Sequence, residues 1–209
     1  EFDILTGGFP CQSFSIVAQN PKRLGVKDER GKLFFEMCRI LKEKQPKCFI
    51  AENVKGILTA NKKSAFPLIL KEFEDSGYDV QYRILNSANY GVPQKRERVI
   101  IVGFRSDLNI KFDFPENIIN DESKFEPLEK VVEKSVDEKY FFSQRAVEGM
   151  LRRRESMNKG RAQDLSKPCN TVGAHLAKVS LNSTDPVLKE GEKYRRFTPR
   201  EVARIQSFP

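Results

Sequence analysis

An α/β fold built on an open sheet is what this sequence predicts. Short apolar runs of strand length recur, as in FDIL, CFIA and VIIVGF. Between them lie two longer segments whose apolar residues fall at helical spacing. Glycine or proline marks most of the junctions. That alternation is the pattern of a sheet covered by helices, and 209 residues suffice for one large domain, or one domain and a smaller one, with a core that needs no staples.

Residues 2–5 read as a short buried strand that stops at Gly7-Gly8. Over residues 30–45, Leu33, Phe34, Met37, Ile40 and Leu41 share one helical face, Lys and Glu fill the other, and Pro46 ends the helix. Residues 48–51 are continuously apolar, as in a strand covered on both faces, and give way to Glu52-Asn53. A second helix is predicted over residues 64–76, with Phe66, Ile69, Leu70 and Phe73 inward and Gly77 as its cap. Residues 79–85 and 98–104 read as further strands, giving the order β-α-β-α-β-β and a mostly parallel sheet.

From Ser106 the character changes, with few periodic apolar runs and many charges as far as residue 190. One helix is predicted over residues 143–155, with Ala146, Val147, Met150 and Leu151 inward. It runs into Arg152, Arg153 and Arg154, with Lys159 and Arg161 close behind. At the end, Thr198-Pro199-Arg200-Glu201 spells a capping box with proline at the first helical position, and Val202 and Ile205 supply an apolar face.

The 37 Lys+Arg against 29 Asp+Glu give a net charge of +8, which points to an anionic partner, nucleic acid first. No apolar run approaches the ~20 residues of a membrane span, and no signal peptide is visible. The four cysteines, at 11, 38, 48 and 169, form no C-x-x-C pair, so no zinc or other metal and no dithiol redox motif is expected. Free thiols in a reducing compartment are the simpler reading. Cys38 and Cys48 sit in apolar periodic segments and read as core filler; Cys169 follows Pro168 in a polar stretch. A Cys–His pair would depend on the one histidine, His175, far off in sequence.

Cys11 is different. Two glycines and a proline deliver it to a polar loop just beyond a strand. Ligands of open α/β sheets bind beyond the carboxyl ends of the strands. Cys11 follows the first strand, Glu52-Asn53 end the second, and Gln94, Arg96 and Arg98 lie just before or at the start of the last. Singly, these are a solvated terminus and a charged turn. Together they place a thiol, a carboxylate and guanidinium groups at one sheet edge.

The stretches GGFPCQSFS, ERGKLFFEMCRI, ENVKG, NYGVPQKRERVIIVGF and RRFTPREVARIQSFP, in that order, resemble the motifs of the DNA (cytosine-5)-methyltransferases across almost the whole chain. The resemblance implies a Rossmann-like methyltransferase sheet with a small target-recognition domain, S-adenosylmethionine as methyl donor, and double-stranded DNA as substrate. It implies a bacterial modification enzyme of a restriction-modification system, working in the cytoplasm at the nucleoid. Residues 1–105 would be the catalytic core, residues 106–194 the target-recognition region, and residues 195–209 a helix joining that region back to the core.

Residue by residue, the thiolate of Cys11 would add to carbon 6 of a cytosine flipped out of the duplex. Glu52 would hold N3 and the exocyclic amine, Asn53 the loop, Arg98 the ring-oxygen edge, and Arg96 the catalytic loop or a phosphate. Phe9 and Pro10, through their backbone, and Leu33, against the adenine, would contact the cofactor. DNA contacts are expected from Gln12, Ser13, Ser15, Lys22 and Arg23 on a mobile basic loop, from Gln94, from Arg153, Arg154 and Arg161, and from Thr171 in the stretch KPCNTV. The family's first motif, Phe-x-Gly-x-Gly, is expected upstream of DILTGG and its last motif after Pro209, so a fragment or one chain of a split enzyme, inactive alone, is expected. The competing readings are a non-catalytic DNA-binding homologue and an RNA substrate; the latter branch usually departs from Gly-Phe-Pro-Cys.

Overall fold

The computed structural model describes residues 1–10, 29–152, 162–173, 176 and 185–209, with the backbone alone at 29–32 and 152. Among these residues no helix is long and apolar enough to cross a membrane. The chain divides into two compact units.

The first unit comprises Glu1–Leu85 and Glu97–Pro115. Its elements are β1 (Ile4–Gly7), α1 (Glu29–Lys44), β2 (Cys48–Val54), α2 (Ala65–Glu74), β3 (Tyr78–Asn86, whose last residue falls in the second unit) and β5 (Glu97–Arg105). They form a four-stranded sheet in the order β1-β2-β5-β3. One face of it is the core: Phe49, Ala51, Val99 and Ile101 pack under Phe34, Met37, Cys38 and Leu41 of α1 and Phe66, Ile69 and Phe73 of α2. Phe34, Met37 and Leu41 face inward as predicted, whereas Leu33 is exposed and Ile40 only half-buried, and α1 stops before the buried Pro46.

Two expectations about the sheet are refined. Its strands do not all run one way: β1 and β2 are parallel, as expected, but β5 is antiparallel to β2, from Cys48↔Phe104 to Val54↔Arg98. β5 also follows β3, its other sheet neighbour, by a short link. A parallel return needs a crossover of about a dozen residues or more, usually a helix. Residues 87–96 supply only a 3-10 turn, Ser87–Tyr90, and a two-residue strand, β4 (Gln94–Lys95).

Nor are the first two strands buried on both faces. Ile4 is 57% exposed and Ile50 40% exposed, and both lie on the face opposite the helices. A continuous apolar run looks the same whether one face is covered or two. Along β5 that outer face is partly covered: Phe104 packs on Phe112, and Phe112 on Phe114, with ring centroids 5.6 and 5.0 Å apart. Cys48 accordingly faces outward and is half-buried, not core filler.

The second unit comprises Asn86–Arg96 and Glu116–Pro209. It contains β4, α3 (Gln144–Arg152), β6 (Cys169–Asn170), β7 (Leu188–Glu190), β8 (Lys193–Arg195) and α4 (Pro199–Ile205). β4 pairs in parallel with β6, and β7 with β8 as a hairpin turning on Gly191 at φ +58° and Glu192. A glycine at that φ is what a two-residue hairpin loop calls for. Leu128, Cys169, Val172, Leu176, Leu188, Phe197 and Ile205 form the core. Cys169, which reads as polar-loop in the sequence, is thus fully buried. Leu151, predicted inward on α3, is 37% exposed, whereas Met150 is buried.

By contacts the division falls at Pro115 rather than at residue 105, and residues 86–96 and 195–209 both cluster with the second unit. The last helix is held there by its cap. Thr198 Oγ1 accepts from the Glu201 amide, Glu201 accepts from the Thr198 amide, and Glu201 also takes the buried Arg195 guanidinium in two bonds of 2.8 and 2.9 Å.

One glycine in the first unit is dictated by packing. The Phe49 ring lies against the backbone of Gly103, its register partner, so that a Cβ there would overlap the ring. Gly103→Ala should lower stability by about 1–3 kcal/mol, read as a shifted denaturation midpoint, because the ring must leave its rotamer or the strands must part.

Candidate active site

The pleat of β2 sends successive side chains to opposite faces. Asn53 points into the core face and is 3% exposed. Its Nδ2 donates to the Phe9 carbonyl at 2.8 Å, and its Oδ1 accepts from the Val54 amide at 2.9 Å. The Phe9 ring packs at 5.1 Å from that of Phe34 and 6.4 Å from that of Phe73. The segment that leads to Pro10 and then to Cys11 is therefore fastened twice, by a buried ring and by a buried amide.

Glu52 points to the outer face. The register pairs it with Ile100 and pairs Val54 with Arg98, so Arg98 is its diagonal neighbour on the same face. Arg98 Nε meets Glu52 Oε1 at 2.7 Å, and Arg98 Nη1 donates to the Glu97 carbonyl at 2.8 Å. The guanidinium is the more buried partner: the Arg98 side chain is 17% exposed, that of Glu52 43%. The β1 end passes close by, since a Cβ built on Gly8 would lie 3.7 Å from Glu52 Oε2. The paired ends of β2 and β5 thus bring together a half-exposed carboxylate, its cation, and the tether of the Phe9-Pro10 segment.

Of the residues singled out in the sequence, Glu52, Asn53, Arg98, Phe9 and Pro10 come together in the first unit. Cys11, Gln12, Ser13, Ser15, Lys22 and Arg23 lie outside the described residues, as do Arg153, Arg154, Arg161 and His175. The expected cofactor contacts divide by exposure. Leu33, on α1, is 53% exposed and leaves an apolar side chain at the surface. Phe9 is 6% exposed with its ring in the core, so only its backbone could serve a cofactor.

Gln94, Arg96 and Thr171 belong to the second unit. Gln94 is 1% exposed; its amide donates to the Ile205 carbonyl at 3.5 Å and accepts from the Val172 amide at 3.3 Å. That corrects the expectation of a DNA contact from its side chain, which is consumed in joining β4 to the end of α4. Arg96 is anchored by its backbone, its amide donating to Asn86 Oδ1 at 3.1 Å. Thr171 is exposed, and its hydroxyl donates to the Lys95 carbonyl at 2.8 Å, strapping the KPCNTV stretch to β4.

Burial pushes the thiols of Cys38 and Cys169 up to about 12, helped at Cys38 by the Glu72 carboxylate. Both stay protonated and unreactive near neutral pH.

The profile of the C-5 cytosine-specific DNA methylases matches residues 1–209, the entire chain. The chain belongs to that family. Among curated relatives it is 38% identical to the type II methyltransferase M1.ScrFI of Lactococcus lactis subsp. cremoris over 100% of its own length and 54% of the relative's. It is also 38% identical to type II methyltransferase M.FnuDI of Fusobacterium nucleatum, over 99% of this chain and 66% of that one. The chain thus spans between about half and two thirds of the length of these relatives. Among solved structures, Schizosaccharomyces pombe Dnmt2 methyltransferase superposes with a TM-score of 0.72 at 17% identity, over 99% of this chain and 67% of the other. Spodoptera frugiperda DNMT2 gives 0.70 at 21%, over 99% and 69%. The methyltransferase fold is shared with these structures.

Two outcomes test this picture of the site. Asn53→Ala should cost about 1–3 kcal/mol of stability, because the Phe9 carbonyl and the Val54 amide each lose a buried partner; denaturant titration reads it. Iodoacetamide at pH 8 should label Cys38 and Cys169 only after unfolding, since a thiol held near 12 stays protonated far above neutral pH; mass spectrometry of folded and unfolded protein reads that.

Proposed function

We propose that this protein methylates carbon 5 of cytosine in DNA, from S-adenosylmethionine, through a covalent adduct between Cys11 and a base turned out of the duplex. The observation that carries the reading is the Glu52–Arg98 pair at 2.7 Å, beside a Phe9-Pro10 segment tethered by Asn53 and leading into Cys11. A nucleophile segment and a base-orienting carboxylate thus belong to one strand end.

The chemistry requires these parts. Carbon 5 of cytosine is a weak nucleophile. Addition of the Cys11 thiolate to carbon 6 forms a carbon–sulfur bond and moves the C5–C6 π pair onto carbon 5 and the N3 edge. Glu52 faces N3 and the exocyclic amine and stabilises the charge that develops there. Arg98 fixes that carboxylate and borders the ring-oxygen edge. S-adenosylmethionine, when bound, supplies an electrophilic methyl group, with Leu33 and the Phe9-Pro10 backbone of this chain among its contacts. Loss of the carbon 5 proton to water, as the carbon–sulfur bond breaks, restores the ring and frees Cys11. A stacked cytosine hides both ring faces, so the base must leave the stack.

DNA is the partner that a net charge of +8 and the type II relatives both support. Sequence readout belongs to the second unit, with Arg153, Arg154 and Arg161 as base or phosphate contacts and Thr171 as a further contact. Between about a third and nearly a half of each relative's length lies outside the match. Activity therefore belongs to this chain together with the remaining family segments, whether these are joined to it or carried on a complementing chain. The working place is the bacterial cytoplasm.

DNA containing 5-fluorocytosine tests the reading, because fluorine cannot leave as a proton and the adduct is trapped. The protein with the remaining family segments and S-adenosylmethionine should give a complex that survives denaturation. Cys11→Ser should give none, and Glu52→Gln should slow its formation by roughly 10²-fold or more. Binding to DNA without any adduct would make the chain a non-catalytic homologue instead.

A further inference from the structure

The β2–β5 register ends at Val54↔Arg98. The next residues outward are Lys55 and Glu97, and they meet: Lys55 Nζ lies 2.8 and 3.0 Å from the two carboxylate oxygens of Glu97. Glu97 also accepts, through its carbonyl, the Arg98 Nη1 at 2.8 Å, while Arg98 Nε holds Glu52 at 2.7 Å. The contacts close a ring. Glu52 joins Arg98, Arg98 joins Glu97, Glu97 joins Lys55, and the backbone of residues 52–55 completes the circuit.

We propose that Lys55 and Glu97 are positioning residues, whose ion pair clamps the carboxyl end of β2 to the amino end of β5 and so fixes how Glu52 and Arg98 present themselves to a base. The proposal rests on the catalytic reading of Glu52 and Arg98 above. Beyond Val54 the chain leaves the sheet for a 3-10 turn, Lys55–Thr59, whose cap receives no side-chain hydrogen bond. No further ladder step follows the Val54↔Arg98 pair, so the clamp closes an otherwise frayed corner. The Glu97 carbonyl, which holds the guanidinium, sits at the first residue of β5, where fraying would first be felt.

Stability is not the point of the pair. The Lys55 and Glu97 side chains are 53% and 47% exposed, and exposed ion pairs contribute little. Geometry is the point, because small displacements of an orienting group cost rate out of proportion to their energy. A phosphate contact from Lys55 is the competing use. Against it, both oxygens of Glu97 already hold the ammonium, which neutralises the charge such a contact would need.

The test compares Lys55→Met, Glu97→Gln and the charge-swapped double variant, Lys55→Glu with Glu97→Lys, in the protein carrying the remaining family segments. Each single variant should lower kcat and the rate of adduct formation roughly three- to tenfold, with KM for DNA within about twofold, and the swap should restore most of the loss. Hydrogen exchange at the amides of residues 53–55 and 97–99 should quicken in the single variants and return in the swap. A raised KM for Lys55→Met beside a normal Glu97→Gln would make Lys55 a phosphate contact and overturn the clamp, as would unchanged exchange in both. If the parent protein forms no adduct, the catalytic reading fails by itself, and exchange still decides whether the clamp exists.

Discussion

Side chains alternate along β2, and the whole arrangement depends on which set faces the helices. Phe49, Ala51 and Asn53 go inward; Ile50, Glu52 and Val54 go outward. Phe49 fixes the choice, because its ring fits only over the bare backbone of Gly103 and against Phe73, at 4.5 Å between centroids. A slip of one residue would turn every side chain over. Glu52 would then enter an apolar core without its cation, and Asn53 would leave the Phe9 carbonyl unsatisfied. Core packing therefore selects the register, and the register alone makes Glu52 and Arg98 diagonal neighbours.

The second unit is organised around a different constraint. Arg195 and Glu201 have fully buried side chains, joined by two hydrogen bonds, and the same carboxylate receives the backbone amides of Glu133 and Thr198. Arg195 also meets Glu190, but removing Arg195 would leave the Glu201 carboxylate buried without its cation, a cost of about 3–5 kcal/mol. A pair of this kind is a poor source of net stability but a demanding one geometrically. It ties β8, the start of α4 and the segment near Glu133 to a single carboxylate. Gln94 does the same work on a smaller scale, linking β4 to Val172 and Ile205.

Much of this was legible in the residues. The helical spacing of Phe34, Met37 and Leu41, and of Phe66, Ile69 and Phe73, gave two core-facing helices. Thr198 and Glu201 form the capping box their spacing spells. Glu52-Asn53 marked the strand end at which the site is built. What stayed hidden follows from pairing, which a single strand does not encode. Nothing in residues 98–104 says that β5 runs against β2, and nothing in CFIA says that one face lacks a cover. Polar residues mislead in the same way: Gln94 reads as surface because its partners, Val172 and Ile205, lie 78 and 111 residues away. The Lys55–Glu97 pair spans 42 residues and is invisible until the register is known.

Glu52 and Asn53 are adjacent residues with opposite orientations, and this couples two tasks that chemistry must coordinate. The same peptide that carries the carboxylate on the outer face carries the amide that fastens the Phe9-Pro10 segment on the inner face. A displacement of that strand end moves both together, so in the proposed mechanism the carboxylate and the segment leading to Cys11 keep their relation. Two separate loops could hold the same groups, but each would fluctuate on its own. A reaction that needs attack at one ring carbon and charge stabilisation at a ring nitrogen across the ring, three bonds away, gains more from this fixed relation than from the rigidity of either group. Residues joined this tightly act as a unit, and their contributions cannot be separated by removing one at a time.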